Sequence, residues 1–140
     1  MGDGPSPAER RASRDAAART LGLATVVQAV HFSEELATGF HEEFPAAFGL
    51  PAMPLSFFVG FNLTWLAIWV VSIAGLRSAR PTALFAAWFL ALAAMLNGIA
   101  HPLLALQAGG YFPGLWTSPI IAAAGYWLWL RLRAATQPGG

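Results

Sequence analysis

The residues of this chain best suited to chemistry are one histidine and two glutamates, written His31-Phe-Ser-Glu34-Glu35. Imidazole and carboxylate groups serve as metal ligands and as proton carriers. All three lie inside an otherwise apolar stretch, residues 21–40, that is long enough to cross a bilayer as a helix. An ionised carboxylate near the middle of a membrane helix costs about 2.5–3.5 kcal/mol, so it faces an interior, pairs or carries a proton. The sequence therefore predicts the functional site here, with His31, Glu34 and Glu35 as candidate catalytic residues.

The composition indicates a membrane protein. Hydrophobic residues make up 56% of the 140 residues and charged residues 11%, whereas soluble domains carry about 25% charged residues. The net charge of +1 gives no indication of a nucleic-acid partner. The absence of cysteine excludes disulfides, thiolate ligands and cysteine nucleophiles. Arginine without lysine, in an Ala-, Gly- and Pro-rich chain, suits a GC-rich bacterial genome, so the bacterial plasma membrane is the predicted location.

Four apolar stretches predict an all-α fold, an integral membrane four-helix bundle. Each is close to the roughly 20 residues that a membrane helix needs. They cover residues 21–40, 55–76, 83–106 and 115–130. The predicted domain is residues 18–133, between a disordered cytoplasmic tail (residues 1–17) and a flexible C-terminal tail (residues 134–140). The oligomeric state cannot be predicted from these patterns.

The positions of the arginines predict the orientation of this bundle. Four arginines precede the first stretch, two lie between the second and the third, and two follow the fourth, so all eight fall on the same side of the membrane. Under the positive-inside rule, both termini are cytoplasmic. A secretory signal is the alternative for the first stretch, but its cleavage would break the asymmetry. The arginines are Arg10, Arg11, Arg14, Arg19, Arg77, Arg80, Arg131 and Arg133.

Polar residues of the other predicted helices are expected at neighbouring depths. With a rise of about 1.5 Å per residue from the arginines, His31 lies about 18 Å and His101 about 32 Å from the inner surface. Asn62, Asn97 and Thr117 fall between these depths. The sequence therefore predicts a buried polar site between helices.

Three motifs give the chain a resemblance to a known family. They are His31-Phe-Ser-Glu34-Glu35, then His101 four residues after Asn97, then Tyr111-Phe-Pro113-Gly114 with Thr117 just beyond. In this order they resemble the HXXEE-domain family, small membrane proteins of unknown function. The resemblance supports the choice of site residues and implies no activity. It covers nearly the whole chain, although an extra His41-Glu42-Glu43 departs from the family pattern and is predicted to be a solvated loop.

Three classes of function fit these residues. In the first, His31, Glu34, Glu35 and His101 bind a divalent metal, Zn or Fe. The second is metal-free acid–base catalysis on a lipid-like substrate, and the third is non-enzymatic: proton or small-molecule binding, or assembly with partner subunits. In each class the residues expected to support the site by hydrogen bonds are Asn62, Asn97, Tyr111 and Thr117.

Overall fold

The computed structural model describes residues 4–136, and these form five helices and no strand. The prediction of an all-α chain is confirmed. Four helices are long, and the short one connects the first two of them. In chain order they are α1 (Pro7–Ala37), α2 (Phe40–Ala46), α3 (Leu55–Arg77), α4 (Pro81–Ala108) and α5 (Ser118–Thr136).

Helix α1 begins ten residues before the predicted boundary of the disordered tail. Ser6 and Glu9 form a capping box, in which the Ser6 hydroxyl accepts from the Glu9 N–H and the Glu9 carboxylate accepts from the Ser6 N–H. Pro7 in the first turn is compatible with a helix start. Residues 7–17 are therefore helical, whereas their composition predicts disorder. Residues 1–3 of the predicted tail lie outside the described residues.

The C-terminal boundary differs from the prediction in the same direction. Helix α5 continues through residues 134–136 of the predicted flexible tail, and residues 137–140 lie outside the described residues. Leu132, near this end, is fully buried. The domain limits of residues 18–133 stay a prediction.

Each long helix packs against two of the other three, because α1 and α4 both lie between α3 and α5. Small residues allow the closest of these contacts. A Cβ atom at Gly125 of α5 would lie 2.6 Å from the Cβ of Ala94 on α4, so only glycine permits this approach. Four helices in this order enclose an interior, and the polar ends of α1 and α4 face it.

Two of the described helices, α3 and α4, are long and apolar enough to cross a membrane by their length and composition. The first and fourth predicted spans correspond to α1 and α5, which do not meet this criterion. Large apolar side chains point outward from α3 and α4, and Val71 and Leu106 are 73% and 78% exposed. The prediction of four spans is therefore supported for two helices.

Candidate metal centre

His31, Glu35 and His101 meet where the ends of α1 and α4 face each other. Oε1 of Glu35 lies 3.5 Å from Nε2 of His31 and 3.4 Å from Nε2 of His101. One ligand atom from each residue lies within 4.8 Å of the other two. The histidines are 0% and 2% exposed and Glu35 is 6% exposed, so bulk water does not solvate the group. The four-residue spacing on α1 places Glu35 on the same helix face as His31.

The second histidine, His101, is held by its other ring nitrogen. Its Nδ1 lies 2.6 Å from the carbonyl oxygen of Pro113. A carbonyl oxygen can only accept, so Nδ1 carries the hydrogen and donates it. In the neutral ring, Nε2 then keeps its lone pair, and this nitrogen lies 3.4 Å from Oε1 of Glu35.

Glu34 lies apart from this group and binds the loop that precedes α5. Its Oε1 accepts from the Tyr111 hydroxyl (2.7 Å) and the Trp116 N–H (3.0 Å). Its Oε2 accepts from the Thr117 N–H (2.9 Å) and the Thr117 hydroxyl (2.6 Å). Because four donors point at the two oxygens, the carboxylate is ionised and its hydrogen-bonding capacity is satisfied. Desolvation raises the pKa of Tyr111 above its usual value, which keeps this hydroxyl protonated and donating.

The bonds to Glu34 also fix the first histidine, His31. Nδ1 of His31 lies 2.6 Å from Oγ1 of Thr117. The single hydroxyl hydrogen of Thr117 goes to Glu34, so its oxygen can only accept from His31, and Nδ1 carries the hydrogen. Nε2 of His31 is buried and has no hydrogen-bond partner among residues 4–136.

Two imidazole lone pairs and one carboxylate therefore face one another. The separations of 3.4 and 3.5 Å exceed the usual N–H···O range of about 2.7–3.2 Å. These two separations match two edges of a tetrahedral metal site, because bonds of about 2.0–2.2 Å place neighbouring ligand atoms about 3.3–3.6 Å apart. The group His31, Glu35 and His101 could therefore hold a metal ion.

The Tyr-Phe-Pro-Gly segment lies directly over both histidines. Gly114 has a φ of +86°, and a Cβ atom there would lie 2.5 Å from Cε1 of His101 and 3.0 Å from Cε1 of His31. Only glycine combines this backbone conformation with this approach. The proline–glycine pair in the sequence predicts a turn at Pro113-Gly114, with a lid over the site as the alternative, and it does not single out Gly114 as a site residue.

Of the remaining predicted site residues, Thr117 contacts His31, and the others lie around the group. Asn62 and Asn97 line a cavity of about 430 Å³ together with Glu35. Tyr111 and Thr117 bind Glu34, as described above. The segment His41-Glu42-Glu43, predicted to be a solvated loop, instead belongs to helix α2, where Nε2 of His41 lies 3.5 Å from Oε1 of Glu42 and takes no part in the group. The structure thus brings together three of the four predicted metal ligands and places Glu34 elsewhere.

Comparison with known proteins identifies one family. No curated protein and no solved structure matches the chain. The family described as "protein of unknown function with HXXEE motif" matches residues 22–128, which include both histidines of the centre and the loop over them. The chain therefore belongs to the family of proteins of unknown function with an HXXEE motif.

Proposed function

We propose that this protein binds one divalent metal ion, Zn²⁺ or Fe²⁺, through Nε2 of His31, a carboxylate oxygen of Glu35 and Nε2 of His101. The observation that carries the proposal is the pair of fixed Nδ1 hydrogens, which leave two Nε2 atoms with lone pairs within 3.5 Å of one carboxylate oxygen. Without a cation or a proton between them, these three groups repel one another in a buried site. A metal ion removes this repulsion.

Two imidazoles and one carboxylate leave coordination positions for water or a substrate. A divalent metal with such a position polarises a bound oxygen and lowers the pKa of bound water. The chain itself supplies orientation. The Glu34–Thr117–His31 chain of hydrogen bonds holds one imidazole, and the Pro113 carbonyl holds the other, as outer hydrogen bonds do in metalloproteins.

A second function, metal-free acid–base catalysis, is favoured by one observation. Glu35 faces both imidazoles and also lines the cavity of about 430 Å³, so a proton on Glu35 could pass between a substrate there and Nε2 of His31 or His101. The two proposals differ in what lies between the three groups. In the first it is a metal ion, and in the second it is a proton on Glu35. If His31, Glu35 and His101 bind a proton or a small molecule but catalyse no reaction, the chain is a binding protein.

Metal titration separates these proposals. Purified protein is titrated with Co²⁺, whose visible absorption is intense in four-coordinate sites, and then with Zn²⁺ as competitor. We expect one equivalent of Co²⁺ to bind, and His31→Ala and His101→Ala to abolish the absorption. His41→Ala is the matched control, because His41 is the remaining histidine and lies outside the centre. If all three variants behave alike, the metal proposal is wrong.

We also propose that four helices span the plasma membrane, with both termini in the cytoplasm and the lipid bilayer as partner. The outward apolar surfaces of α3 and α4 support this, as does the clustering of arginines at one end. Arg14 and Arg80 line one small cavity there, next to the end of α5, and the Arg77 side chain lies 3.9 Å from the carboxylate of Asp15. The centre of His31 and His101 lies at the opposite ends of α1 and α4.

Cysteine labelling tests this orientation cleanly, because the chain has no cysteine of its own. In intact cells, an impermeant thiol reagent applied from outside should label Gly110→Cys and leave Ser78→Cys unlabelled. After the cells are opened, both should react. Labelling of Ser78→Cys alone in intact cells would overturn the orientation.

A further inference from the structure

An aromatic cavity of about 430 Å³ lies between α1, α3 and α4 and reaches the candidate metal centre. Its volume is within the range of small-molecule sites. Aromatic rings from α2, α3 and α4 make up just over half of its lining residues. These are Phe40, Phe57, Phe58, Phe61, Trp65, Trp69 and Phe89.

Polar atoms occupy only part of this wall. Glu35 contributes the carboxylate that also faces both histidines, so an occupant can reach the centre. Asn62 and Asn97 lie on the facing helices. The amide nitrogen of Asn62 donates one hydrogen to the carbonyl oxygen of Phe58 in its own helix. The amide oxygen of Asn62 remains an acceptor for an occupant of the cavity. An occupant thus meets an apolar wall and a small polar region that contains Glu35.

The cavity has no basic side chain among the described residues. All eight arginines belong to the other end of the long helices or to the connections there. An occupant with a phosphate group would therefore meet the Glu35 carboxylate without an arginine or lysine to pair with. A neutral oxygen avoids that repulsion and can still bind a metal or donate to a carboxylate.

The cavity is also accessible from the apolar side of the protein. Phe57 and Phe61 line it and are 59% and 50% exposed, so its edge continues into the outward apolar surface of α3. In a bilayer this surface contacts lipid tails, and an apolar molecule could enter without crossing water.

We propose that this cavity binds an uncharged lipid, a long apolar chain or ring system that ends in a hydroxyl or carbonyl oxygen placed beside Glu35. This inference deepens the proposed function, because it names the ligand class that would reach the open side of the metal centre. The aromatic wall binds the apolar body, and the region of Glu35, Asn62 and Asn97 binds the oxygen.

Three probes of equal chain length test the ligand class. Radiolabelled hexadecanol, hexadecane and hexadecyl phosphate are each equilibrated with purified full-length protein in detergent, and the retained label is measured. We expect hexadecanol to bind at about one per chain and roughly tenfold more tightly than either of the others. Equal retention of hexadecane would show that no oxygen is recognised, and equal or tighter binding of the phosphate would overturn the requirement for an uncharged ligand.

A cavity-filling variant tests the location. Ala93 lines the cavity, so Ala93→Phe should lower hexadecanol binding by roughly tenfold while leaving the Co²⁺ absorption unchanged. Ala100→Phe on the same helix is the matched control, because Ala100 is exposed and outside the cavity. If Ala93→Phe does not fold, Ala93→Leu fills less space and should give a smaller loss. Full binding by a folded Ala93 variant would overturn the proposal.

The two proposals can fail separately. If the parent binds no metal but retains hexadecanol in an Ala93-dependent way, the lipid proposal holds and the metal proposal is wrong. If the parent binds metal through His31 and His101 but does not discriminate among the probes, the lipid proposal is wrong and the metal proposal holds.

Discussion

Glu34 and Glu35 are neighbours in sequence with the same chemical group, yet the structure gives them opposite surroundings. Glu34 accepts four hydrogen bonds from Tyr111, Trp116 and Thr117. Glu35 receives no hydrogen bond from residues 4–136 and faces two imidazole nitrogens, each without a hydrogen in the neutral ring. One carboxylate is satisfied by the protein alone, and the other requires a proton or a cation.

Helical geometry explains how adjacent residues reach such different surroundings. At about 100° per residue, positions three and four residues after His31 lie on either side of it. Glu34 therefore faces α5 and the loop before it, whereas Glu35 faces His101 on α4. The backbone N–H groups of Trp116 and Thr117 precede the first turn of α5, where the helix dipole favours an anion. In the motif, Glu34 thus holds the loop before α5, and Glu35 is the candidate metal ligand beside His31.

Between the two glutamates, the larger effect on metal binding is expected for Glu35→Gln. This change removes an anionic ligand, so metal affinity should fall on the order of a hundredfold in the Co²⁺ titration. The metal-free protein should unfold at the same or a higher temperature, because the new amide can donate to an imidazole lone pair. Unchanged metal affinity would contradict the assignment of Glu35 as a ligand.

Glu34→Gln should show the opposite pattern in stability. The amide group places a donor opposite donors of the loop, so the free energy of unfolding should fall by about 1–3 kcal/mol even without metal. Thermal unfolding of the two metal-free variants side by side measures this contrast. If the Glu34→Gln variant is as stable as the Glu35→Gln variant, the claim that the protein stabilises the Glu34 carboxylate and not the Glu35 carboxylate is wrong.

Gly114→Ala should also disturb the centre strongly, because its Cβ would overlap His101 and the positive φ would be strained. We expect metal affinity to fall by roughly tenfold or more and the unfolding temperature to drop. Gly110→Ala is the control, since a Cβ there meets nothing within 4 Å and its φ is not positive. Equal effects of the two changes would argue against the close contact at Gly114.

The Thr117 hydroxyl connects Glu34 to the metal centre, because it donates to Glu34 and accepts from His31. Thr117→Val removes both roles, leaves Nδ1 of His31 without an acceptor, and should lower metal affinity by about 10- to 100-fold. Thr117→Ser keeps the hydroxyl and should bind metal like the parent. Equal metal affinity of the valine and serine variants would show that the Glu34–Thr117–His31 chain of hydrogen bonds does not orient His31.

The smallest effect is expected where the sequence carries a second pair of glutamates. Glu42 and Glu43 lie on α2 and are exposed. Replacing both with glutamine should change the free energy of unfolding by less than about 0.5 kcal/mol and leave metal affinity unchanged. A loss comparable to that of Glu35→Gln would extend the centre to α2.

Part of this arrangement could be predicted from the sequence. The all-α fold and the family follow from the apolar stretches and the three motifs, and both are confirmed. The pairing of His31 with His101 was also expected, although the depth estimates place them about 14 Å apart. In the structure their ring centres lie 4.9 Å apart.

Part of the error in depth, about 6 Å of the 14 Å, comes from the choice of anchor. The Arg77 side chain lies beside Asp15 of α1, so the charged end of the helices begins about four residues before Arg19. Counting from Arg19 therefore places His31 too near the inner surface. The start of α1 also differs from the prediction, because composition alone predicts disorder where the capping box of Ser6 and Glu9 stabilises a helix start.

The separation of Glu34 from Glu35 could not be predicted from local pattern. It depends on donors about 80 residues away, in the loop before α5, and the sequence gives no measure of where that loop packs. For Gly114, the proline–glycine pair predicts a turn and leaves a lid over the site as an alternative, but it does not predict that Gly114 itself contacts the histidines.

The most direct test of the central claim is the metal content of protein purified without chelators, measured by mass spectrometry per chain. We predict close to one Zn or Fe in the parent and in His41→Ala, and none in His31→Ala or His101→Ala. Acidification should release the metal, because a protonated imidazole has no lone pair for ligation. A parent without metal that also fails to bind added Zn²⁺ or anaerobic Fe²⁺, or binding that survives loss of either histidine, would contradict the account.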